Sequence, residues 1–164
     1  VLKSPVHLQS IPELVAAYPD ASFIVTHRDP AEVLASVSSL ITTLRRAFSD
    51  DVDPVEIGRY HLKLYARSLD LLVGHTAGTL PVDRTIHVTH RELVADPTGT
   101  VRRVYDALDI AFGDAEANAA ADAAAAERED GVGAHRYHLA DFGLDSAEIR
   151  PRFERYSNRF LREG

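Results

Sequence analysis

The sequence contains no cysteine, no methionine and no tryptophan among its 164 residues. Without cysteine there is no disulfide framework, no thiolate metal site and no cysteine nucleophile, so nothing asks for an oxidising compartment and a reducing cytoplasm is expected. Without methionine the chain does not start at an initiator, and Val1 opens straight into an apolar run; we expect a fragment or processed piece of a longer protein. No apolar stretch reaches the ~18 residues of a membrane-spanning helix, and Val1 to Leu8 lacks a signal-peptide layout. Basic residues are scarce, 18 against 25 acidic, for a formal net charge of −7. A non-specific nucleic-acid binder needs a basic face, so that class is excluded. A small anionic ligand is not, because a few local cations suffice for it. With 45% hydrophobic and 26% charged residues the composition is ordinary for a globular chain, and one domain is expected.

The pattern along the chain alternates strands with helices. Val1 to Ser4 reads as the end of a short strand, followed by a turn at Pro5 and by His7. Ile11, Leu14, Val15 and Tyr18 have helical spacing. Ser22 to Thr26 is β-rich without alternation, which suits a strand covered on both faces in a parallel sheet. Asp29-Pro30-Ala31-Glu32 supplies an N-cap acid, a proline at the first helical position and an acid two residues later, a strong helix start. Val33, Val37, Leu40, Ile41, Leu44 and Phe48 then form one apolar stripe. A second long helix is carried by Val55, Leu62, Tyr65, Leu69 and Leu72. Thr85 to Thr89 reads as another strand, residues 98 to 109 as a helix, residues 114 to 129 as an alanine-rich solvated helix, and Ala147 to Leu161 as a final amphipathic helix. This is an α/β class, with few strands for a complete sheet.

Both strands run into Val-Thr-His-Arg, at Val25 to Arg28 and at Val88 to Arg91. Polar groups at carboxyl ends of strands are where open α/β sheets build their sites. At the first copy a buried strand delivers Arg28 just before a helix N-terminus, where free N–H groups and the dipole already favour an anion. The guanidinium adds a fork suited to phosphate oxygens. Ser36 lies two turns into the helix, so a ligand meeting both runs alongside the helix. The competing assignment pairs Arg28 with Asp29 or Glu32 and leaves Ser36 as a small packing residue.

The element Arg28-Asp-Pro…Ser36 after a strand resembles the 3′-phosphate-binding element of sulfotransferases that use 3′-phosphoadenosine 5′-phosphosulfate (PAPS). Three further segments fit that family in the same order. Lys3-Ser4-Pro5-Val6-His7 is similar to the lysine, hydroxyl and histidine segment facing the acceptor, with Pro5 standing where the cytosolic enzymes place the histidine, as in bacterial members. His90 to Pro97 resembles the segment whose strand-end tyrosine lies near the adenine, with His90 at the tyrosine position. Gly133-Ala-His-Arg-Tyr137 and Asp141 to Leu144 resemble the C-terminal end of bacterial sulfotransferases, whose loop closes a basic residue over the nucleotide.

The resemblance implies a three-layer α/β/α fold with a parallel sheet, of the P-loop-type sulfotransferase kind. Residues 1–164 would form the C-terminal part of one such domain, incomplete at the N-terminus, because no Gly-rich loop with lysine occurs in the sequence. It implies sulfuryl transfer from PAPS to a hydroxyl of a small molecule or glycan, with the present chain inactive alone. The roles implied are His7 as general base, Lys3 offsetting charge at the same centre, Arg28 and Ser36 on the 3′-phosphate, and His90, Arg136 and Tyr137 on the nucleotide. The helix at 54 to 74 and the segment 110 to 134 would help shape the acceptor pocket. A nucleotide kinase-like P-loop enzyme and a non-catalytic nucleotide-binding or scaffold fragment stay open. No metal is expected: His87-x-x-His90 on a strand puts the two rings on opposite faces, and Asp51-Val-Asp53 lacks the rest of a calcium loop. Oligomeric state is not encoded in any recognisable pattern.

Overall fold

A computed structural model of the protein describes residues 1–130 and 137–162. Two parallel strands, β1 (Phe23–His27) and β2 (Thr85–Thr89), pair in register with Phe23 opposite Thr85 and His27 opposite Thr89. Between them run α2 (Pro30–Arg46) and α3 (Pro54–His75), preceded by α1 (Ile11–Ala17). After β2 come α4 (His90–Ala95), α5 (Pro97–Ala107), α6 (Asp114–Asp130), α7 (Ser146–Arg152) and α8 (Glu154–Phe160). Short 3₁₀ turns lie at Pro5–Gln9, Val82–Arg84 and Leu139–Phe142. Among the described residues no helix is long and apolar enough to cross a membrane.

In a parallel pair in direct register, opposed residues point to the same face, so the two strands divide their side chains between two cores. Phe23 and Val25 pack into the larger core, built from Leu34 of α2, Leu62, Leu69 and Leu72 of α3, and Ile149, Phe153 and Tyr156 at the C-terminal end. Ile86 and Val88 pack on the other face with Val104 of α5 and Leu93 of α4. Helices therefore cover β2 on both sides of the sheet, giving the three layers. β1 differs from its expected double cover, for Ile24 is 53% exposed and Thr26 is exposed beside the buried Ile86 and Val88. On that face α4 and α5 shield β2 and do not reach across to β1.

Asp-Pro dipeptides start three helices. Asp29, Asp53 and Asp96 each accept a hydrogen bond from a backbone N–H of the first turn, Ala31, Val55 and Gly99, at 2.8 to 2.9 Å, and proline follows each one. The proline ring fixes φ and removes a donor that would have no partner there. Asp29→Ala should lower stability by about 1 kcal/mol and Asp29→Asn by less, read from urea midpoints at constant slope.

Four further expectations change. Val1 to Ser4 is not a strand: Ser4 is extended, but the segment pairs with neither strand, and Val1 and Leu2 are exposed. An extended run without a ladder partner has nothing to define it as β. The final helix is two helices, α7 and α8, broken at Phe153. Pro151 cannot donate to the carbonyl four residues back, so the helix closes within two residues of it. Residues 90 to 95 form an unexpected helix, α4, whose start is a capping box: Thr89 and Glu92 each bond the other's backbone N–H.

The fourth change concerns α2. Its buried face is Leu34, Ala35, Ser38 and Thr42, whereas Leu40, Leu44 and Phe48 of the expected stripe are exposed, Phe48 at 91%. Small side chains let α2 lie close to α3, and the hydroxyl of Thr42 donates to the Ser38 carbonyl at 2.7 Å. Ile41, Leu44 and Phe48 line an open cleft of about 680 Å³ with Val52 ahead of α3 and Tyr60 and His61 within it. A close approach recurs at Gly58, where an added Cβ would overlap Phe142.

Candidate functional site

The carboxyl end of β1 leads directly into α2, and Arg28 occupies the two-residue link. Its Nε donates to Glu32 Oε2 at 2.9 Å, an i,i+4 ion pair with both side chains about half exposed. Glu32 and Ser36, four residues apart in α2, lie on one face of the helix, and Arg28, just before the N-cap, is tied to the near end of that face by its bond to Glu32. Ser36 is half-buried, roughly 9 Å along the axis from Pro30 at 1.5 Å per residue. The competing ion pair foreseen for Arg28 is thus present, with Glu32. The terminal amino groups of the guanidinium make no hydrogen bond among the described residues. Beside the start of α2, a cleft of about 490 Å³ opens between Asp29 and Pro30 on one wall and Arg150, Ser157, Asn158 and Arg162 on the other. Arg28 and Ser36 do not line it.

Immediately before Arg28, His27 is 1% exposed. Its Nδ1 lies 3.0 Å from the Tyr156 hydroxyl of α8 and its Nε2 lies 2.8 Å from Nδ1 of His87 on β2. The ring stacks on Phe160 at 4.2 Å between centroids, 12° from parallel. Burial, with His87 beside it, lowers the His27 pKa to about 4, against a smaller upward pull from Glu92. Burial pushes Tyr156 up to about 12, and the backbone N–H of Arg28 acts on its hydroxyl in the opposite direction. Burial and then Arg159 lower His87. All three groups are neutral near pH 7, so His27 donates from one ring nitrogen and accepts at the other: either Tyr156 O–H donates to Nδ1 and Nε2–H donates to His87 Nδ1, or both bonds run the opposite way.

At the end of β2, Glu92 accepts from the backbone N–H and the hydroxyl of Thr89, both at 2.7 Å, and these bonds hold its carboxyl below the usual range. Arg103 of α5 reaches Glu92 at 3.4 Å. His90 is exposed at the first position of α4. His7 is half-buried in the 3₁₀ turn that packs on α3, its backbone N–H bonded to the Ser4 carbonyl at 3.2 Å, and Lys3 is exposed. Tyr137 is 38% exposed. Arg136 lies outside the described residues. Arg28 and Ser36 thus share a face. Among the described residues no hydrogen bond or ion pair joins Lys3, His7, Arg28, Ser36 or His90 to one another.

The His27–His87–Tyr156 cluster is the part of the site that sequence reading missed. The repeated Val-Thr-His-Arg was a signal, but it aligned His27 with His90. The register instead places His27 opposite Thr89 and beside His87, so the two copies are offset by one residue along the sheet. Among the described residues no three His, Asp or Glu side chains converge as a metal site would require.

A family model described as "Sulfotransferase family" matches residues 1–114. The sulfotransferase STF1 of Mycobacterium tuberculosis H37Rv has a similar crystal structure, with 31% identity and a TM-score of 0.76 over 93% of this chain and 38% of its own. The sulfotransferase STF9 of Mycobacterium avium is similar over 99% of this chain and 42% of its own, with 25% identity and a TM-score of 0.84. No curated protein matches. The chain therefore spans about two-fifths of the length of these solved structures. With a family match over well over half of its residues and the same fold in both structures, the chain belongs to the sulfotransferase family.

Proposed function

We propose that the protein containing this chain transfers a sulfuryl group from PAPS to a hydroxyl of a small-molecule or glycan acceptor. The observation that carries this reading is the single face shared by Arg28 and Ser36 at the start of α2, directly after a parallel strand. A phosphate lying along that face meets the guanidinium fork at one end and a hydroxyl at the other, with the positive end of the helix dipole between them. Glu32 occupies the same line, so binding exchanges one anion for another on Arg28: the carboxylate swings out into solvent and the 3′-phosphate takes its place.

In the transfer step the acceptor oxygen forms a bond to sulfur as the bond from sulfur to the 5′-phosphate oxygen breaks. The acceptor proton passes to His7, and adenosine 3′,5′-bisphosphate leaves. Lys3 offsets negative charge developing at the same centre. His90, Arg136 and Tyr137 contact the nucleotide away from sulfur. No metal takes part in this scheme.

Calorimetry with adenosine 3′,5′-bisphosphate on the complete gene product tests the assignment. Arg28→Ala should weaken binding about tenfold, the low end expected for a charge-assisted contact because the wild-type arginine must first leave Glu32. Affinity for adenosine 5′-phosphate, which lacks the 3′ group, should stay unchanged. A variant that binds the bisphosphate within about twofold of the parent would remove Arg28 from the phosphate site.

A further inference from the structure

Tyr156 belongs to α8, at the opposite end of the chain from Arg28, yet its hydroxyl is bonded to the side chain next to it in sequence, His27. β1 is five residues long, is paired only with β2 among the described residues, and leaves Ile24 and Thr26 uncovered. So short a strand has little of its own to fix the direction in which its last residue hands over to α2. The fixing is done at His27. Tyr156 holds Nδ1, His87 holds Nε2 and Phe160 covers the ring. Side chains alternate along an extended chain, so Arg28 leaves on the face away from His27 and Tyr156 does not touch its guanidinium. Any influence passes through the backbone, by way of the His27 ring and of the Arg28 N–H that faces the Tyr156 hydroxyl.

We propose that Tyr156 is a positioning residue for the 3′-phosphate: by clasping His27 it sets the exit of β1 and thereby the line along which Arg28 approaches Ser36. This rests on the Arg28–Ser36 reading given above. Recognition by a guanidinium fork depends on angle as well as distance, so a small rotation of the strand end costs affinity for the 3′-phosphate and for nothing else on the nucleotide. A purely structural tyrosine would behave differently. Its loss would lower the melting temperature and weaken all nucleotide binding alike.

The readout is the ratio of affinities for adenosine 3′,5′-bisphosphate and adenosine 5′-phosphate, measured by calorimetry on the complete gene product. Tyr156→Phe keeps the ring and removes one neutral hydrogen bond, and should lower the ratio by about threefold to tenfold while adenosine 5′-phosphate binds as in the parent. Phe160→Leu thins the same packing without touching that bond, and should lower the melting temperature while leaving the ratio intact. An unchanged ratio in Tyr156→Phe overturns the proposal, as does an equal fall in Phe160→Leu. Should Tyr156→Phe not fold, His87→Leu removes the partner of the other nitrogen of the His27 ring, and the same fall or its absence decides. A parent ratio near one would instead remove the phosphate reading itself, and this inference with it.

Discussion

His7→Ala is expected to lower turnover by about a hundredfold while leaving the KM for PAPS within about twofold of the parent. An alcohol oxygen cannot complete its bond to sulfur while it keeps its proton, and a base placed at the acceptor removes it in the same step. His7 is half-buried on a 3₁₀ turn that packs on α3, whose Gly58 lies against Phe142, so its ring is presented from a packed support. Among the described residues the side chain makes no hydrogen bond to Arg28 or Ser36, which is why donor affinity should survive its loss. A fall in turnover with the KM for PAPS unchanged separates a base from a residue that holds the donor. A variant retaining turnover within about threefold would exclude His7 as the base.

Helix starts were the most legible feature of the sequence, because Asp-Pro acts within one turn and needs no distant partner. The two strands were equally legible from β-branched runs. What failed were features decided by packing between elements. Leu40, Leu44 and Phe48 have the spacing of a core stripe, yet Ala35, Ser38 and Thr42 face inward because close approach of α2 to α3 favours small side chains over apolar ones. Hydrophobicity alone ranks those two faces in the wrong order.

The site divides along the same line. Arg28 and Ser36 could be singled out as candidates because strand, link and helix are contiguous in sequence. The clasp on His27 joins residues 27, 87 and 156, and its geometry depends on strand register and on where α8 lands. A one-residue offset between the two Val-Thr-His-Arg copies decides that His87, and not His90, meets His27. No local pattern encodes that offset. The Pro151 break has the same consequence further on, since it aims α8, with Tyr156 and Phe160, at the end of β1 independently of α7.

Acidification should destabilise the fold by about 3 kcal/mol between pH 6.5 and pH 4, through His27 alone. The folded ring takes its proton only near pH 4, whereas the unfolded ring takes it near 6.5, so the unfolded chain binds more protons throughout that window. Stability is therefore fully present above the unfolded value and is lost as pH falls toward the folded one. The structural reason lies in the donor chain: a protonated His27 donates from both nitrogens, so whichever of the Tyr156 hydroxyl and His87 Nδ1 donated to the ring must become an acceptor at a buried position. His87, also lowered, adds a loss of the same sign, and Glu92 opposes it weakly by favouring the charged ring. Urea denaturation at steps from pH 7.5 to pH 4.5 measures the slope, and the proton signals of the His27 ring identify its source. A ring that titrates near 6.5 in the folded protein, with a flat stability profile over the same window, would show that burial does not keep His27 neutral. His27→Gln, which retains a hydrogen-bonding amide but no titratable group, should be less stable than the parent at pH 7.5 and should lose most of the slope.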